Sequence, residues 1–362
     1  MHRAPAFQSI QASALEIPFR RPFARRTATQ SIWVRVKAAD GTVGFGEGCL
    51  REHETGETVQ DAQAFVAARA EWWQRRIGNF DDLAGWVRAY GIEIDANPAG
   101  WTAVELALLD LFGRRIGRPV EKLLGLPYLQ GVFRYTAMLE EGTAAEVARA
   151  REAGFRDFRV SLTGERERDE ALVDALRAAA VSPRRVRASA RNLWSDPAAA
   201  LEYLSALDFA FFALEEPLAA RDFAGMARLA REFDTRVVLD ESIARADQVI
   251  ALPGAPERWL VNVRVSKMGG LLRSLDFVRE ARGRGLRMIV GACAGETSIL
   301  ARAALIIAGA AGEALAAQEG GLGTHLLERD VAEPSLRYGP DGAFDAGASG
   351  VAKAPGLGLA IS

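Results

Sequence analysis

The sequence predicts an α/β protein: a (β/α)8 barrel with an N-terminal α+β capping domain that the C-terminal segment completes. Three observations indicate this fold. From about residue 132, short β-type runs alternate with helical stretches, which is typical of parallel βαβ units. Eight such runs follow at intervals of roughly 25 residues, as a closed barrel requires. The residues before them show a hairpin followed by long helical patterns, so they form a separate unit.

The N-terminal unit begins with β-type alternation. Residues 31–37 place Ile32, Val34 and Val36 on one face, and a second alternating run follows the Asp40-Gly41 turn. Two such runs around an Asp-Gly turn predict an antiparallel hairpin. Residues 57–125 then show apolar residues at helical spacing. Within them, Asn97-Pro98 predicts a helix start, because proline is tolerated in the first turn.

The barrel region supplies the eight predicted strands. They cover residues 133–139, 155–162, 185–189, 211–215, 236–240, 259–265, 286–292 and 314–318. The tail beyond residue 330 is rich in Gly, Ala and Pro and predicts no long helix. We expect it to return to the N-terminal unit, although a frayed terminus is the alternative. The expected domains are 1–130, the capping domain; 131–330, the barrel; and 331–362, the C-terminal return.

Composition and charge narrow the function classes. Of the 362 residues, 49% are hydrophobic and 25% are charged, which is ordinary globular composition. The 45 basic and 47 acidic residues give a net charge of −2, so neither nucleic acid nor a membrane is an expected partner. No apolar run reaches a bilayer-spanning length, and no signal peptide is recognisable. Cys49 and Cys293 lie outside any CxxC pair, which favours a reducing, cytoplasmic setting. We also expect a homo-oligomer.

The chemistry of a (β/α)8 barrel lies at the carboxyl ends of its strands. Glu215 and Asp240 end consecutive predicted strands, so their carboxylates are expected to converge. Such a pair suits a hard cation such as Mg²⁺, or acid/base catalysis. An ion pair with nearby arginines is the alternative, since Arg159 stands at the end of strand 2 and Arg264 on strand 6.

Seven sequence motifs, in order along nearly the whole chain, resemble those of the enolase superfamily in its muconate lactonizing enzyme and mandelate racemase-like branch. They are DGTVGFGEG (40–48), AVELALLDLFGRRIGRPVEKLLG (103–125), LEEP (214–217), LDES (239–242), VNVRVSKMGGL (261–271), GETS (295–298) and PGLGL (355–359). The resemblance implies a shared reaction, in which a base removes the proton α to a carboxylate and Mg²⁺ stabilises the enediolate. It also implies a small-molecule carboxylate as substrate.

The resemblance further implies three acidic metal ligands, on strands 3, 4 and 5, and acid/base lysines on strands 2 and 6. Glu215 and Asp240 match two of the ligands. The third falls on Ser189, so the metal set would be Glu215, Asp240 and Ser189. The lysine positions carry other residues: the strand 2 pair falls on Arg159 and Ser161, and the strand 6 lysine falls on Arg264.

These departures change the charge balance expected at the site. Two carboxylates facing two permanently charged guanidiniums are neutral without a metal. The resemblance thus implies Mg²⁺, whereas the residues predict weak Mg²⁺ binding or none. The candidate catalytic residues are Arg159, Ser161, Arg264 and Glu296. The candidate substrate-binding residues are Arg25, His53, Lys267, Glu319 and His325.

Three functions remain open from the sequence. The first is an isomerase, epimerase, cycloisomerase or lyase that abstracts an α-proton with an atypical site. The second is a metal-independent variant whose arginines hold a carboxylate or enolate. The third is a non-catalytic paralogue. The sequence does not identify the substrate.

Overall fold

The computed structural model describes residues 6–23 and 26–362, except for the side chain of His53. The predicted roles of Arg25 and of the His53 side chain therefore lie outside the described residues. The N-terminal elements of the described chain are β1 (Ser9–Leu15), β2 (Pro18–Phe23), β3 (Arg26–Ala28), β4 (Ser31–Lys37), β5 (Val43–Cys49), α1 (Glu52–Thr55), α2 (Val59–Arg76), α3 (Phe80–Ala89), α4 (Gly91–Ala96), α5 (Pro98–Arg115) and α6 (Val120–Leu123).

An antiparallel sheet and one buried helix form the centre of the capping domain. The sheet has the order β1-β4-β5, and β4 and β5 form the predicted hairpin. Helix α5 begins after Asn97, as predicted, and lies against β5. A Cβ atom at Gly44, Gly46 or Gly48 would come within 2.2 Å of a backbone carbonyl oxygen of α5. The glycines of the DGTVGFGEG motif therefore permit this close contact between strand and helix.

The second part of the chain alternates strands with helices. In order, its elements are β6 (Val132–Arg134), β7 (Ala137–Leu139), α7 (Ala144–Glu152), β8 (Phe158–Ser161), α8 (Arg166–Ala178), β9 (Val186–Ser189), α9 (Pro197–Leu207), β10 (Ala213–Glu215), α10 (Phe223–Glu232), β11 (Arg236–Leu239), β12 (Trp259–Val263), α11 (Val265–Met268), α12 (Leu271–Gly283), β13 (Arg287–Val290), α13 (Ser298–Ala311), β14 (Leu315–Gln318), α14 (Leu322–Leu326), β15 (Ala332–Glu333), β16 (Ala343–Asp345) and β17 (Ala360–Ile361).

Within residues 26–362, eight parallel strands, β7 to β14, form one sheet in sequence order. The sheet closes on itself, because the amide of Thr136, next to β7, donates to the carbonyl of Gln318 at the end of β14 over 2.8 Å. The fold is therefore the predicted (β/α)8 barrel with an N-terminal capping domain. It brings the carboxyl ends of all eight strands to one rim.

Two local expectations differ from the structure. The predicted first strand, 133–139, is divided, because β6 pairs antiparallel with β16 of the tail while β7 joins the barrel. The connection from β11 to β12 consists of two 3-10 segments, Ala246–Ala251 and Pro256–Arg258, in place of an α-helix. Pro253 and Pro256 lie in this connection, and proline interrupts a continuous helix.

The C-terminal segment contacts the capping domain. The amide of Leu357 donates to Asp110 on α5 over 2.8 Å, and Arg114 of the same helix donates to the carbonyl of Leu359 over 2.6 Å. The segment thus returns to α5. The exact domain boundaries stay a prediction. Across the described ranges, none of the helices combines the length and apolar character that crossing a membrane demands.

Candidate active site at the barrel rim

A cavity of about 350 Å³ lies at the carboxyl ends of the barrel strands, beneath loops of the capping domain. Both units contribute charged side chains to its wall. These are Arg26, Arg51 and Glu54 from the cap, and Glu140, Arg159, Arg191, Glu215, Asp240, Glu241, Arg264 and Glu319 from the barrel. Since acidic and guanidinium side chains share one small cavity, the way they pair decides which charged groups remain available to a ligand.

Arg159 on β8 forms a bidentate ion pair with Glu215 on β10. Its Nε donates to Oε2 over 2.8 Å and its Nη2 to Oε1 over 2.9 Å. The same Nη2 donates to the hydroxyl of Ser189 over 2.9 Å, and Nη1 to Glu140 over 3.3 Å. Burial lowers the pKa of Arg159, but Glu215 and then Glu319 and Glu140 outweigh it and raise the pKa above its ordinary value. This guanidinium therefore stays charged.

Arg264 follows β12 and neutralises the second carboxylate. Its Nε and Nη2 lie 3.0 and 2.8 Å from Oδ1 of Asp240, and its Nη2 also pairs with Glu54 of the capping domain. The side chain is 2% exposed. Burial alone would raise the pKa of Asp240, but Arg264 and Lys267 outweigh that effect and lower it below its ordinary value. Both arginines thus form ion pairs with these carboxylates, which is the alternative that the sequence left open.

Lys267 is held by four oxygens. Its Nζ lies 2.7 Å from the Asp240 carbonyl, 3.0 Å from Asp240 Oδ1, 3.0 Å from the Ile243 carbonyl and 2.7 Å from the Asn262 carbonyl. An ammonium has three protons to donate, so these contacts use all of them. Lys267 fixes the loop after β11, and it is not among the described residues that line the cavity.

The structure places the other predicted site residues at different depths. Glu319 lines the cavity and pairs with the buried Arg187 of β9. Burial, opposed by Arg187, raises the pKa of Glu319.

Ser161 accepts a hydrogen bond from Arg191 over 3.3 Å. Glu296 is buried behind the wall, where its carboxylate accepts from the Cys293 amide over 2.6 Å, and burial raises its pKa well above its ordinary value.

His325 lies apart from the cavity-lining residues in the described chain. Its ring stacks on Tyr338 with centroids 4.0 Å apart, and burial, assisted by Arg337, lowers its pKa to about 4. The imidazole is therefore neutral at pH 7.

Three charged partners were not predicted from the sequence. Glu140 directly follows β7, and Arg187 lies two residues before Ser189 on β9, so strand-end and alternation rules could have found both. Glu54 lies in α1 of the cap, and no local pattern points from it to Arg264. Its pKa is lowered, because Arg264 and Arg51 outweigh the effect of burial.

Glu241 differs from the other acids of the cavity in its pKa and in its hydrogen bonding. It is half-buried. Burial, and then the charges of Asp240 and Glu216, raise its pKa to about 7. Its Oε2 has no hydrogen-bond partner among the described residues. The neighbouring Glu216, in contrast, accepts from the amide and hydroxyl of Ser242, each over 2.8 Å.

The residues at the expected metal positions do not fit Mg²⁺. Ser189 offers a neutral hydroxyl, and Arg159 donates to it and to both oxygens of Glu215. Arg264 and Lys267 both donate to Asp240. Mg²⁺ prefers six oxygen ligands in near-ideal octahedral geometry. Among the described residues, no group of three or more His, Cys, Asp or Glu side chains could hold a metal ion.

The barrel, its cap and the charged rim define a capped-barrel protein with a cavity between the two units. Residues 8–125 match the family described as mandelate racemase / muconate lactonizing enzyme, N-terminal domain, and residues 142–362 match the enolase C-terminal domain-like family. The chain therefore belongs to the mandelate racemase and muconate lactonizing enzyme branch of the enolase superfamily.

Several characterised proteins are similar to the chain. The N-succinyl-L-Arg/Lys racemase of Bacillus cereus is 24% identical over 83% of this chain and 83% of its own length. The L-Lys-D/L-Arg epimerase of Methylococcus capsulatus is 28% identical over 97% of this chain and 98% of its own. The crystal structure of the Enterococcus faecalis dipeptide epimerase with Mg and L-Leu-L-Tyr superposes with a TM-score of 0.83 at 23% identity, covering 98% of this chain and 99% of that one.

Proposed function

We propose that this chain is an isomerase of the epimerase or racemase type that acts on a small carboxylic acid without Mg²⁺. One observation carries the proposal: the guanidinium of Arg159 bonds both Glu215 and Ser189, the positions at which the resemblance implies metal ligands. The similarity to racemases and epimerases supports the reaction class. A lyase acting through the same α-proton abstraction is the nearest variant. The cytoplasmic setting and the homo-oligomer stay predictions.

Arg26 of the capping domain is the proposed anchor for the substrate carboxylate. Its guanidinium lines the cavity and donates to neutral oxygens, at 2.6 Å to Gln30, 3.2 Å to Leu50 and 3.3 Å to Ala294. In residues 6–23 and 26–362, it has no carboxylate partner. Since guanidinium bonds to carboxylates are among the strongest in proteins, a ligand carboxylate is the natural partner for this charge. Arg25 and His53 stay predicted substrate-binding residues.

The proposed proton-transfer step uses groups already in the cavity wall. Glu241 is the proposed proton acceptor, because it lines the cavity and one of its oxygens is uncommitted in the described chain. Arg159 and Arg264 would stabilise the negative charge that forms on the substrate. They cannot be bases themselves, because a guanidinium does not lose its proton in proteins. Ser161 and Glu296 stay predicted catalytic residues.

A second function, ligand binding without turnover, is favoured by one observation. Neither of the acid/base positions implied by the resemblance carries a lysine, since they hold Ser161 and Arg264. Loss of a positioned acid or base typically costs about 10²–10⁴-fold in rate. The two functions differ in whether a bound carboxylate exchanges its α-proton.

Hydrogen exchange at the α-carbon tests the proposal. Dipeptides, N-acyl amino acids and hydroxy acids are incubated with the protein in D₂O, with and without EDTA, and deuterium incorporation is followed by NMR. We expect exchange in at least one compound that EDTA does not reduce and that Glu241→Gln abolishes. Arg26→Met should weaken binding of that compound, whereas Arg35→Met, on the cap sheet outside the cavity-lining set, should not.

Two outcomes would contradict the proposal. Binding of a carboxylate with no exchange of its α-proton would leave the non-catalytic function. Exchange that EDTA abolishes and Mg²⁺ restores would show a working metal site.

A further inference from the structure

The floor of the cavity is built on an apolar cluster inside the barrel. The cluster takes one buried residue from each of the strands β10 to β13, namely Ala213, Val238, Leu260 and Ile289. Side chains alternate along a strand, so the residues two positions later point the same way, one step closer to the carboxyl rim. These residues are Glu215, Asp240, Asn262 and Gly291. The barrel interior thus changes from apolar to polar at this step, and the first three of these residues line the cavity.

Asn262 differs from the two acids beside it because its side chain lacks a partner. Glu215 pairs with Arg159, and Asp240 pairs with Arg264. The side-chain oxygen of Asn262 is buried without a hydrogen-bond partner among the described residues, and the whole residue is 3% exposed. Buried polar atoms in native proteins nearly always have a partner, so this amide calls for one that the described chain does not provide.

The surroundings keep the Asn262 amide at the cavity floor. Nζ of Lys267 donates to the backbone carbonyl of Asn262 over 2.7 Å, which fixes the end of β12. A Cβ atom on Gly291 would lie 2.1 Å from Oδ1 of Asn262, so a larger residue at position 291 would displace the amide. Glycine at this position therefore leaves the space that the Asn262 side chain occupies.

Packing alone does not explain an asparagine at this position. An aliphatic side chain here would extend the apolar cluster above Leu260 and would bury no unpartnered polar atom. Asn192, which also lines the cavity, shows the usual arrangement, because its Nδ2 donates to the Leu218 carbonyl over 2.6 Å. The amide of Asn262 is therefore left for a ligand that enters the cavity.

The chemistry of an amide determines which ligand group suits it. A side-chain amide is uncharged, and it carries an acceptor oxygen and a donor nitrogen that a half-turn of the group exchanges. The carboxylates of Glu215 and Asp240 are already paired with guanidiniums, so a ligand ammonium would find no unpaired charge on them. An uncharged group that both donates and accepts hydrogen bonds is the better partner, because it satisfies the amide without burying a charge.

We propose that Asn262 is a specificity-determining residue that hydrogen-bonds an amide or hydroxyl group of the substrate. The inference rests on the proposed function, in which Arg26 binds the substrate carboxylate. Arg26 belongs to the capping domain and Asn262 to the barrel, and both line the cavity. One contact from each unit would therefore fix the orientation of the substrate.

Four carboxylates with the same three-carbon skeleton test the proposal. N-acetyl-L-alanine and L-lactate carry an amide and a hydroxyl on the α-carbon, L-alanine carries an ammonium, and propionate carries none of these groups. Their Kd values are measured by ligand-observed NMR titration, which requires no turnover. We expect the amide or the hydroxyl compound to bind about 3–10-fold more tightly than propionate, which is the gain typical of one neutral hydrogen bond. L-alanine should bind no more tightly than propionate.

Three variants assign this preference to Asn262. Asn262→Leu, which is similar in size, should abolish the preference and leave propionate binding unchanged. Asn262→Asp should shift the preference to L-alanine, because a carboxylate pairs with an ammonium, and a purely structural role would not produce this reversal. Asn192→Gly is the control, since the Asn192 amide is bonded within the chain and glycine tolerates the φ of 58° at this position. It should keep the wild-type preference, and circular dichroism confirms that each variant is folded.

The outcomes separate this proposal from the one on which it rests. If none of the four compounds binds the wild-type protein, or if Arg26→Met does not weaken their binding, the proposed carboxylate site is wrong and the role of Asn262 is wrong with it. If all four compounds bind the wild-type protein equally well, or if Asn262→Leu keeps the preference, the role of Asn262 alone is overturned. The wild-type comparison decides the question even if a variant at position 262 does not fold.

Discussion

Replacing Arg159 with methionine should destabilise the protein strongly, because it leaves Glu215 buried and unpaired. Glu215 is 4% exposed, and both of its oxygens accept from this guanidinium. Breaking a buried ion pair by removing one partner costs about 3–5 kcal/mol. Arg159→Met should therefore lower the free energy of unfolding by about that amount at pH 7.

The assay is guanidinium chloride unfolding followed by circular dichroism and tryptophan fluorescence. Arg191→Met is the matched control, because Arg191 bonds Glu140 over 2.7 Å but its side chain is 53% exposed. An exposed pair contributes only about 0–1 kcal/mol. The double variant Arg159→Met, Glu215→Leu should recover most of the lost stability, since it removes the buried charge as well. If Arg159→Met costs no more than Arg191→Met, the reasoning about the buried pair is wrong.

Two further predictions concern stability. Burial raises the pKa of Glu47 and of Glu105 from 4.5 to about 7 in the folded protein, so the folded state binds more protons than the unfolded state between these values. The free energy of unfolding should therefore fall as pH rises through this window, by up to about 1.4 kcal/mol per pH unit for each group. Denaturant titrations at several pH values measure this pH dependence, which Glu47→Gln should reduce. An unchanged pH dependence would contradict the raised pKa of Glu47. Gly46→Ala would place a Cβ 1.9 Å from a carbonyl oxygen of α5 and should cost at least about 1–3 kcal/mol, whereas Gly91→Ala, which meets nothing within 4 Å, should be neutral or slightly stabilising. Equal Tm values for these two glycine variants would refute the close-packing argument.

The fold could be predicted because its signals are local. Alternation around Asp40-Gly41 specifies the hairpin, and the strand and helix patterns after residue 132 specify the barrel. Predictions were wrong where distant residues decide the structure. The run 133–139 is divided because β6 pairs with β16, a segment of the tail that the local pattern does not reveal.

The candidate site was predictable in part for the same reason. Barrel geometry gathers the carboxyl ends of the strands at one rim, so ion pairing of Glu215 on β10 with Arg159 on β8, one strand beyond β9, could be expected from strand order. The pairing of Arg264 with Glu54 did not, because Glu54 reaches the rim from the capping domain. How the cap docks on the barrel depends on tertiary packing, and a single sequence carries no short-range signal for it.

The central claim is that guanidiniums replace the metal, and Mg²⁺ binding tests it most directly. The melting temperature of the purified chain is measured with EDTA and then with 10 mM Mg²⁺. The double variant Arg159→Lys, Ser189→Asp is measured in the same way, because it restores an acidic ligand and removes the bidentate guanidinium. A ligand at 100 times its Kd stabilises the folded state by about 2.7 kcal/mol. We predict no Mg²⁺-dependent shift in the parent and a clear, EDTA-reversible increase in the variant. A large, EDTA-reversible shift in the parent would contradict the account.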